Sequence, residues 1–329
     1  MGTGGIVATQ TDPSLTAEVR DLKPPSNVGN QVFRGLSTTA GWAILLTLAA
    51  VALFLIVRAA PAFTASAEDL AGVNILRGLD FWGFVTPLLF GTLLSSAIAL
   101  LVAVPLSVGI ALFISHYAPR RLAQALGYIV DLLAAIPSVI FGLWGARWLM
   151  GTIDPVFAWL SNNLGFLPFF QDYIPPARNI MTASLVLAVM ILPIITATIR
   201  EVFLQTPRLH EEASLALGAT RWEMVQQAVL PFARSGIISA SMLGLGRALG
   251  ETMAVLMILS PGFSINFNLL MPGQHQTIAA NIANQFPEAA GLGVNVLIAT
   301  GLMLFIITFL VNMAARAIIA RRAEFSGAN

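Results

Sequence analysis

Long runs of apolar residues recur six times along the chain, and short polar segments separate them. The runs lie at about residues 37–60, 87–115, 124–149, 179–199, 235–259 and 292–319. A helix needs about 20 mostly apolar residues to cross the ~30 Å hydrocarbon core of a bilayer, and each run is long enough. The pattern therefore predicts an all-α integral membrane protein with six transmembrane helices.

The composition agrees with this pattern and excludes several classes of site. Hydrophobic residues make up 57% of the chain and charged residues 10%, against about 25% charged residues in an average soluble domain. The net charge of +1 argues against nucleic acid as a partner. The chain has no cysteine, and Lys23 is its single lysine, so a GxxxxGK[ST] loop for ATP cannot form. We expect no catalytic residue, no metal site and no cofactor bound by this chain.

Arginine and lysine fall mainly on one side of the predicted membrane. This side holds both tails and the loops at residues 116–123 and 200–234. Its twelve positive residues are Arg20, Lys23, Arg34, Arg120, Arg121, Arg200, Arg208, Arg221, Arg234, Arg316, Arg321 and Arg322. The other side holds four: Arg58, Arg77, Arg147 and Arg178. Because positive residues favour the cytoplasmic side, both termini and the loop at residues 200–234 are predicted to be cytoplasmic.

The polar segment between the fourth and fifth runs follows the rules of helix capping. Thr206 can cap a helix that has Pro207 at its first position, where a missing N–H costs nothing. Gly218 is placed as a left-handed stop. Thr220 and Glu223 have the spacing of a capping box that begins a second helix. The segment is therefore predicted to form two short cytoplasmic helices joined at Gly218.

The same segment resembles the EAA loop of ABC-type importer permeases, which reads Glu-Ala-Ala, three residues, Gly, nine residues, Ile, one residue and Leu-Pro. The corresponding residues here are Glu212, Ala213, Ser214, Gly218, Ala228, Leu230 and Pro231. Ser214 and Ala228 depart from the motif but leave its spacing intact. In that family the loop is a coupling helix that docks into a cytoplasmic ATPase subunit. The resemblance implies this role for Glu212, Ala213, Gly218, Leu230 and Pro231, with Pro231 placed to end the second helix or to begin the next.

The fifth apolar run carries two charged residues, Arg247 and Glu251. Their spacing of four predicts that they share one face of a helix. Arg247 would lie ~18 Å along that helix from Ser235, near the middle of the bilayer, where a charge is costly and needs a partner. Two interpretations stay open at this point: a structural Arg–Glu pair, or a substrate pathway in which Arg247 binds an oxyanion through its guanidinium.

Two further patterns concern the packing of helices. Small residues recur at a spacing of four beside Arg247 and predict a close helix contact; they are Gly236, Ala240, Gly244, Ala248 and Thr252. Residues 136–138, Ile-Pro-Ser, predict a local gap in the hydrogen bonds of the third helix, which the Ser138 hydroxyl could fill.

Two segments resemble phosphate-specific ABC permeases. GRALGETMAV at residues 246–255 is similar to the signature of that group, and LLAAIPSVIFGLWG at residues 132–145 is similar to its third-helix segment. The resemblance runs from about residue 84 to the end and fits the C-type subunit of the Pst importer better than the A-type. It implies a type I, MetI-like permease fold in the bacterial inner membrane and a role for Arg247 and Glu251 in phosphate passage.

The resemblance also implies an assembly. A second related permease subunit would form a heterodimer with this chain, and two cytoplasmic ATPase subunits would hold ATP and magnesium. An extracytoplasmic phosphate-binding protein and membrane lipid complete the expected partners. The alternatives are a permease for sulfate or molybdate, an ion-coupled secondary transporter, which leaves the EAA spacing unexplained, and a receptor or scaffold, which needs no charge pair in the membrane.

The chain is accordingly expected to have four parts. Residues 1–35 form a mobile cytoplasmic tail, and residues 36–83 form the first transmembrane helix with its outer loop. Residues 84–320 form the permease core, which contains the coupling loop at residues 206–231, and residues 321–329 form a cytoplasmic tail.

Overall fold

The computed structural model describes the backbone of residues 28–323 and the side chains of residues 29–317. Every regular element in this range is a helix, which confirms the all-α prediction. In chain order these are α1 (Val28–Thr64), α2 (Ala67–Ala71), α3 (Phe81–Leu112), α4 (Arg120–Ala134), α5 (Ser138–Trp144), α6 (Met150–Leu164), α7 (Ile180–Leu204), α8 (Arg208–Ala216), α9 (Arg221–Met224), α10 (Leu230–Leu249), α11 (Met253–Ile258), α12 (Ile278–Gln285) and α13 (Leu292–Ala323).

Three π-helical turns extend or join these helices. They lie at Phe113–Tyr117, Gly145–Leu149 and Val225–Val229. The first extends α3 to Tyr117. The second joins α5 to α6 and the third joins α9 to α10, so each of these two pairs forms one helix.

Five helices are long and apolar enough to cross a membrane, and they correspond to the first, second, fourth, fifth and sixth predicted runs. They are Gly29–Thr64, Phe81–Tyr117, Ile180–Leu204, Arg221–Leu249 and Leu292–Ala317. A sixth span exists when α4 and the helix Ser138–Leu164 are counted together, although a bend of 92° separates the two parts. The third run, predicted at residues 124–149, is therefore broken rather than continuous.

Pro137 explains the break in the third run. Its ring lacks an N–H and disfavours helical geometry at the preceding residue, and helix α4 ends at Ala134. The predicted gap at residues 136–138 is confirmed, but Ser138 makes no side-chain hydrogen bond to any residue that the structure describes.

The ends of the chain differ from the predicted boundaries. Helix α1 begins at Val28, so residues 28–35 of the predicted tail are helical. This is possible because the prolines nearest to them, Pro24 and Pro25, precede the helix and residues 28–35 contain no proline. Helix α13 continues to Ala323, beyond the predicted end of the core at residue 320. The remainder of the predicted tails, residues 1–27 and 324–329, lies outside the described residues.

The chain divides into two compact units at residues 51 and 52, inside α1. The described part of the first unit is helical, and apolar side chains such as Trp42 and Leu46 recur along it, as is typical of a membrane-spanning helix. The second unit contains two hydrophobic cores.

The larger core packs α3 and α10 against α7. The Ser107 hydroxyl of α3 donates a hydrogen bond to the carbonyl of Leu192 in α7 at 3.1 Å. A Cβ atom added to Gly244 of α10 would lie 2.5 Å from the Ile195 side chain, and one added to Gly236 would lie 2.5 Å from the Val202 side chain. Gly236 and Gly244 therefore face α7, which confirms the predicted close contact at these positions, whereas Thr252 lies beyond the end of α10 at Leu249.

The smaller core crosses the predicted boundary between residues 83 and 84. Ala62 and Leu76 from the first side of that boundary pack with Phe84 and Leu88 of α3 and with Val296 of α13. Residues 52–83 thus belong to the same core as the helices that follow, because the loop after α1 folds back and buries its apolar residues against them.

Candidate functional site

Arg247 lies half-buried near the end of α10, which finishes at Leu249. A Cβ atom added to the neighbouring Gly246 would meet no atom within 4 Å, so the backbone beside Arg247 borders open space. The contact of Gly244 with α7 sets the rotation of α10 about its axis and thereby the direction of the Arg247 side chain. A guanidinium in this setting can be approached by an anion and can donate two parallel hydrogen bonds to it.

Glu251 does not lie on the same helix as Arg247. It falls in the break at residues 250–252, between α10 and α11. Its carboxylate oxygen Oε1 accepts a hydrogen bond from the N–H of Ala254 at 3.0 Å, and the residue is only 8% exposed. No ion pair joins Arg247 to Glu251 within the residues whose side chains the structure describes.

The prediction of a shared helix face for Arg247 and Glu251 is therefore wrong, and two local effects explain it. Gly250 is a weak helix former because it loses much backbone freedom when ordered. The Glu251 carboxylate then satisfies the Ala254 N–H, which a continuous helix would have bonded to its own backbone. Glu251 thus stabilises the start of α11 as a capping group.

The helices that follow the two breaks pack against each other. A Cβ atom added to Gly142 of α5 would lie 2.7 Å from the Cα atom of Ala254 in α11. One added to Gly145 would lie 2.7 Å from Val186 and 2.8 Å from Ile258. Helix α5, which follows the break in the third run, and α11, which follows the break at residues 250–252, therefore meet beside Glu251, through glycines that allow their backbones to approach closely.

The segment predicted to be the coupling loop, residues 206–231, is called the coupling segment below, and it has most of its predicted local geometry. Gly218 has a φ of 90°, the left-handed region that ends α8. The Thr220 hydroxyl accepts from the Glu223 N–H at 3.3 Å, and a Glu223 carboxylate oxygen accepts from the Thr220 N–H at 2.7 Å. The predicted capping box is confirmed.

The prediction for Thr206 is wrong. Thr206 does not cap α8: Pro207 is the N-cap residue, and no hydrogen-bond partner of the buried Thr206 hydroxyl is found among the described residues. Pro231 lies in the first turn of α10, which is one of its two predicted places. The second helix is longer than predicted, because it continues through a π turn into α10 as one helix, Arg221–Leu249. The wider π turn accommodates Pro231, which has no N–H for the normal helical hydrogen bond.

The candidate coupling residues Glu212 and Ala213 lie on the exposed surface of α8. Leu209 and Leu217, at the two ends of this helix, are 79% and 90% exposed. A cavity of about 260 Å³ on the same segment is lined by His210, Ser214, Gln227, Ala228 and Phe232. Exposed leucines such as Leu209 and Leu217 are typical of a protein-binding surface.

Helix α10 connects the coupling segment to the charged site. Pro231 lies at its beginning and Arg247 near its end, about 24 Å apart along the helix axis. The structure therefore does not bring the two sets of predicted residues together, but places them at opposite ends of one stiff element.

A carboxylate in α6 organises the loop that follows this helix. Asp154 accepts hydrogen bonds from the Tyr173 hydroxyl and from the Ala177 N–H. Burial, together with the hydrogen bond to Asp154, raises the pKa of Tyr173 above its usual range, so this hydroxyl keeps its proton and remains a donor.

His116 has no motif that marks it in the sequence, yet it contacts the coupling segment. Its Nε2 atom lies 3.6 Å from a carboxylate oxygen of Glu211 in α8. A histidine at the polar end of an apolar run is a weak signal by itself, because its partner lies far away in the sequence.

Comparisons with known proteins agree with this arrangement. The model of a family described as the binding-protein-dependent transport system inner membrane component matches residues 103–324. Proteins named phosphate transport system permease protein PstC 2, from Mycobacterium bovis and Mycobacterium tuberculosis, are each 45% identical over 320 residues, covering 94% of this chain and 96% of theirs. A phosphate transport system permease protein PstC from Xylella fastidiosa is 38% identical, covering 93% of this chain and 98% of its own.

Two solved structures share the fold. An inward-facing structure of the MetNI methionine ABC transporter has a TM-score of 0.50 at 20% identity and covers 73% of this chain and 96% of its own. A bacterial ABC transporter that imports alginate has a TM-score of 0.54 at 15% identity and covers 88% of this chain and 99% of its own. These likenesses confirm the predicted MetI-like permease fold.

Proposed function

The chain belongs to the family of binding-protein-dependent transport system inner membrane components, and we propose that it is the phosphate permease subunit of an ATP-driven importer. The observation that carries the proposal is its similarity, over nearly its whole length, to chains named as phosphate permeases. The half-buried Arg247, placed near the end of a membrane-spanning helix and beside open space, supports an anionic substrate.

Arg247 and Glu251 would have different roles in the pathway. Arg247 attracts the anion and orients it through charge-assisted hydrogen bonds. Glu251 is fixed by the Ala254 N–H through Oε1, while Oε2 accepts no hydrogen bond from the described residues. Phosphate near neutral pH keeps a P–OH donor that this oxygen can accept, and sulfate has none, so Glu251 would favour phosphate.

The partners follow from the same proposal. The exposed α8 surface with Glu212, Ala213 and Gly218 would dock into one of two ATPase subunits, which hold ATP and magnesium, while Leu230 and Pro231 carry the movement into α10. A related second permease would complete the pathway, and a phosphate-binding protein would deliver substrate from outside. Both termini and α8 would be cytoplasmic, because arginine and lysine concentrate on that side.

Uptake of radiolabelled phosphate in cells that lack this chain tests the proposal. Restoring the chain should restore phosphate uptake and leave sulfate uptake unchanged. Restored sulfate uptake would indicate a permease for another oxyanion. Phosphate uptake that persists when the ATPase subunits cannot hydrolyse ATP would indicate an ion-coupled secondary transporter.

A further inference from the structure

The coupling helix α8 is held in place without a hydrophobic core of its own. None of its nine residues, all of which the structure describes, is buried. One polar contact, from the Ser214 hydroxyl to the Gln227 amide oxygen at 3.4 Å, joins it to the helix that follows next in the chain. The orientation of α8 therefore depends on contacts of its few half-buried side chains, of which Glu211 is one.

Glu211 makes the contact that joins α8 to a different membrane span. Its carboxylate oxygen lies 3.6 Å from Nε2 of His116, and the side chains are 23% and 10% exposed, respectively. This distance is too long for a hydrogen bond but within the range of an ion pair. Because both groups are largely shielded from water, their attraction is screened less than that of a surface pair.

The local structure at the end of α3 directs the His116 ring toward α8. His116 lies in the π turn Phe113–Tyr117, which inserts an extra residue into the helix and so rotates the side chains that follow it. Its Nδ1 atom is 2.6 Å from the Ser115 hydroxyl oxygen. The ring also packs edge-on against Phe203, near the end of α7, with 6.2 Å between ring centroids.

The Ser115 hydroxyl fixes the orientation of the His116 ring. It donates to the Ala111 carbonyl at 2.8 Å, so its oxygen is free to accept a hydrogen bond from Nδ1, which lies 2.6 Å away. The other ring nitrogen, Nε2, then faces the Glu211 carboxylate.

We propose that His116 is a positioning residue that holds the coupling helix to α3 and transmits its movement into that span. The proposal rests on the proposed function, in which α8 receives movement from an ATPase. Helix α10 carries that movement because it continues the coupling segment. The His116–Glu211 contact provides a second route, from α8 into α3. Without it, α8 could tilt while α3 stays still, and ATP hydrolysis would be coupled less tightly to transport.

A double-mutant cycle in the reconstituted importer tests the transmission. The variants are His116→Gln, Glu211→Gln and their combination, and the measured quantity is phosphate imported per ATP hydrolysed. We expect each single change to lower this ratio, and the double change to lower it about fivefold less than the product of the two single effects. The matched control pairs His116→Gln with Arg208→Gln, whose side chain is exposed at the start of the same helix, and these two effects should add. Additive effects in both cycles would overturn the proposal.

A second measurement does not depend on transport. The chain contains no cysteine, so Ala216→Cys on α8 can carry a single nitroxide label in the full chain reconstituted in vesicles. Both His116→Gln and Glu211→Gln should increase the mobility of the label, whereas His210→Gln, an exposed histidine on the same helix, should not. Unchanged mobility in both variants would overturn the positioning role. If the unmodified importer does not transport phosphate, the proposed function fails, and the mobility measurement still decides whether His116 positions α8.

Discussion

Arg247 is the residue on which the choice of substrate depends most directly. Arg247→Lys keeps the positive charge but replaces the planar, two-pronged donor with a single ammonium group. Since a hydrogen bond to a charged group contributes about 1.5–3 kcal/mol, we expect phosphate uptake to fall by about tenfold or more. The measurement is initial uptake divided by the amount of assembled complex in the membrane.

Arg234→Lys is the matched control, because Arg234 is an exposed arginine on the same helix. It should leave uptake close to that of the unmodified chain. Arg247→Gln removes the charge altogether, and this variant should assemble but import little phosphate. Full uptake by Arg247→Gln would remove Arg247 from the pathway.

Between elements, the contact of α5 with α11 depends on the absence of a side chain at Gly142. Gly142→Leu would push into the backbone of Ala254, since even a Cβ atom would lie 2.7 Å from its Cα. Overpacking of this kind costs about 1–3 kcal/mol, so we expect a lower thermal unfolding midpoint for the purified chain. Gly151→Leu is the control, because a Cβ atom there meets nothing within 4 Å. Equal midpoints for the two variants would show that α5 and α11 do not pack as described.

The turn between α8 and α9 depends on a left-handed glycine. Gly218 has a φ of 90°, where a β-branched residue is strongly disfavoured. Gly218→Val should therefore lower both phosphate uptake and the co-purification of the ATPase subunits. Gly218→Asn should have a smaller effect, because asparagine tolerates left-handed geometry better than other residues do. Normal uptake and co-purification in Gly218→Val would show that the turn has no part in coupling.

For the whole molecule, the distribution of arginine and lysine predicts which side of the membrane each loop faces. Single cysteines are clean probes because the chain contains none. Ser214→Cys, on α8, should resist a membrane-impermeant thiol reagent in intact cells, whereas Asn163→Cys, near the end of α6, should react. Permeabilised cells provide the control, since both cysteines should then react. The reverse pattern in intact cells would exclude the docking of α8 to a cytoplasmic ATPase.

Features that depend on neighbouring residues could be predicted from the sequence. The apolar runs identified the membrane-spanning helices because a helix satisfies its own backbone hydrogen bonds and needs only enough apolar length to cross. The left-handed Gly218 and the capping box of Thr220 and Glu223 were also predictable, since each acts within a single turn. The EAA spacing and the GRALGETMAV segment identified the family for the same reason, as contiguous patterns.

Features that depend on competition between contacts could not be predicted in this way. A helical pattern placed Arg247 and Glu251 on one face, but Gly250 weakens the helix there and the Glu251 carboxylate bonds to the Ala254 N–H instead. The bend after α4 was visible as a proline, whereas its angle of 92° was not, because it depends on how the two parts pack.

The sequence by itself therefore determined the class of the protein, five of its apolar spans, and the glycine turn and capping box of the coupling segment. Tertiary structure alone decided that His116 meets Glu211 and that Gly142 meets Ala254. These pairs lie far apart in the sequence, and no local pattern records them. Their contact arises only when separate helices pack, because packing sets the rotation and depth of each helix relative to its neighbours.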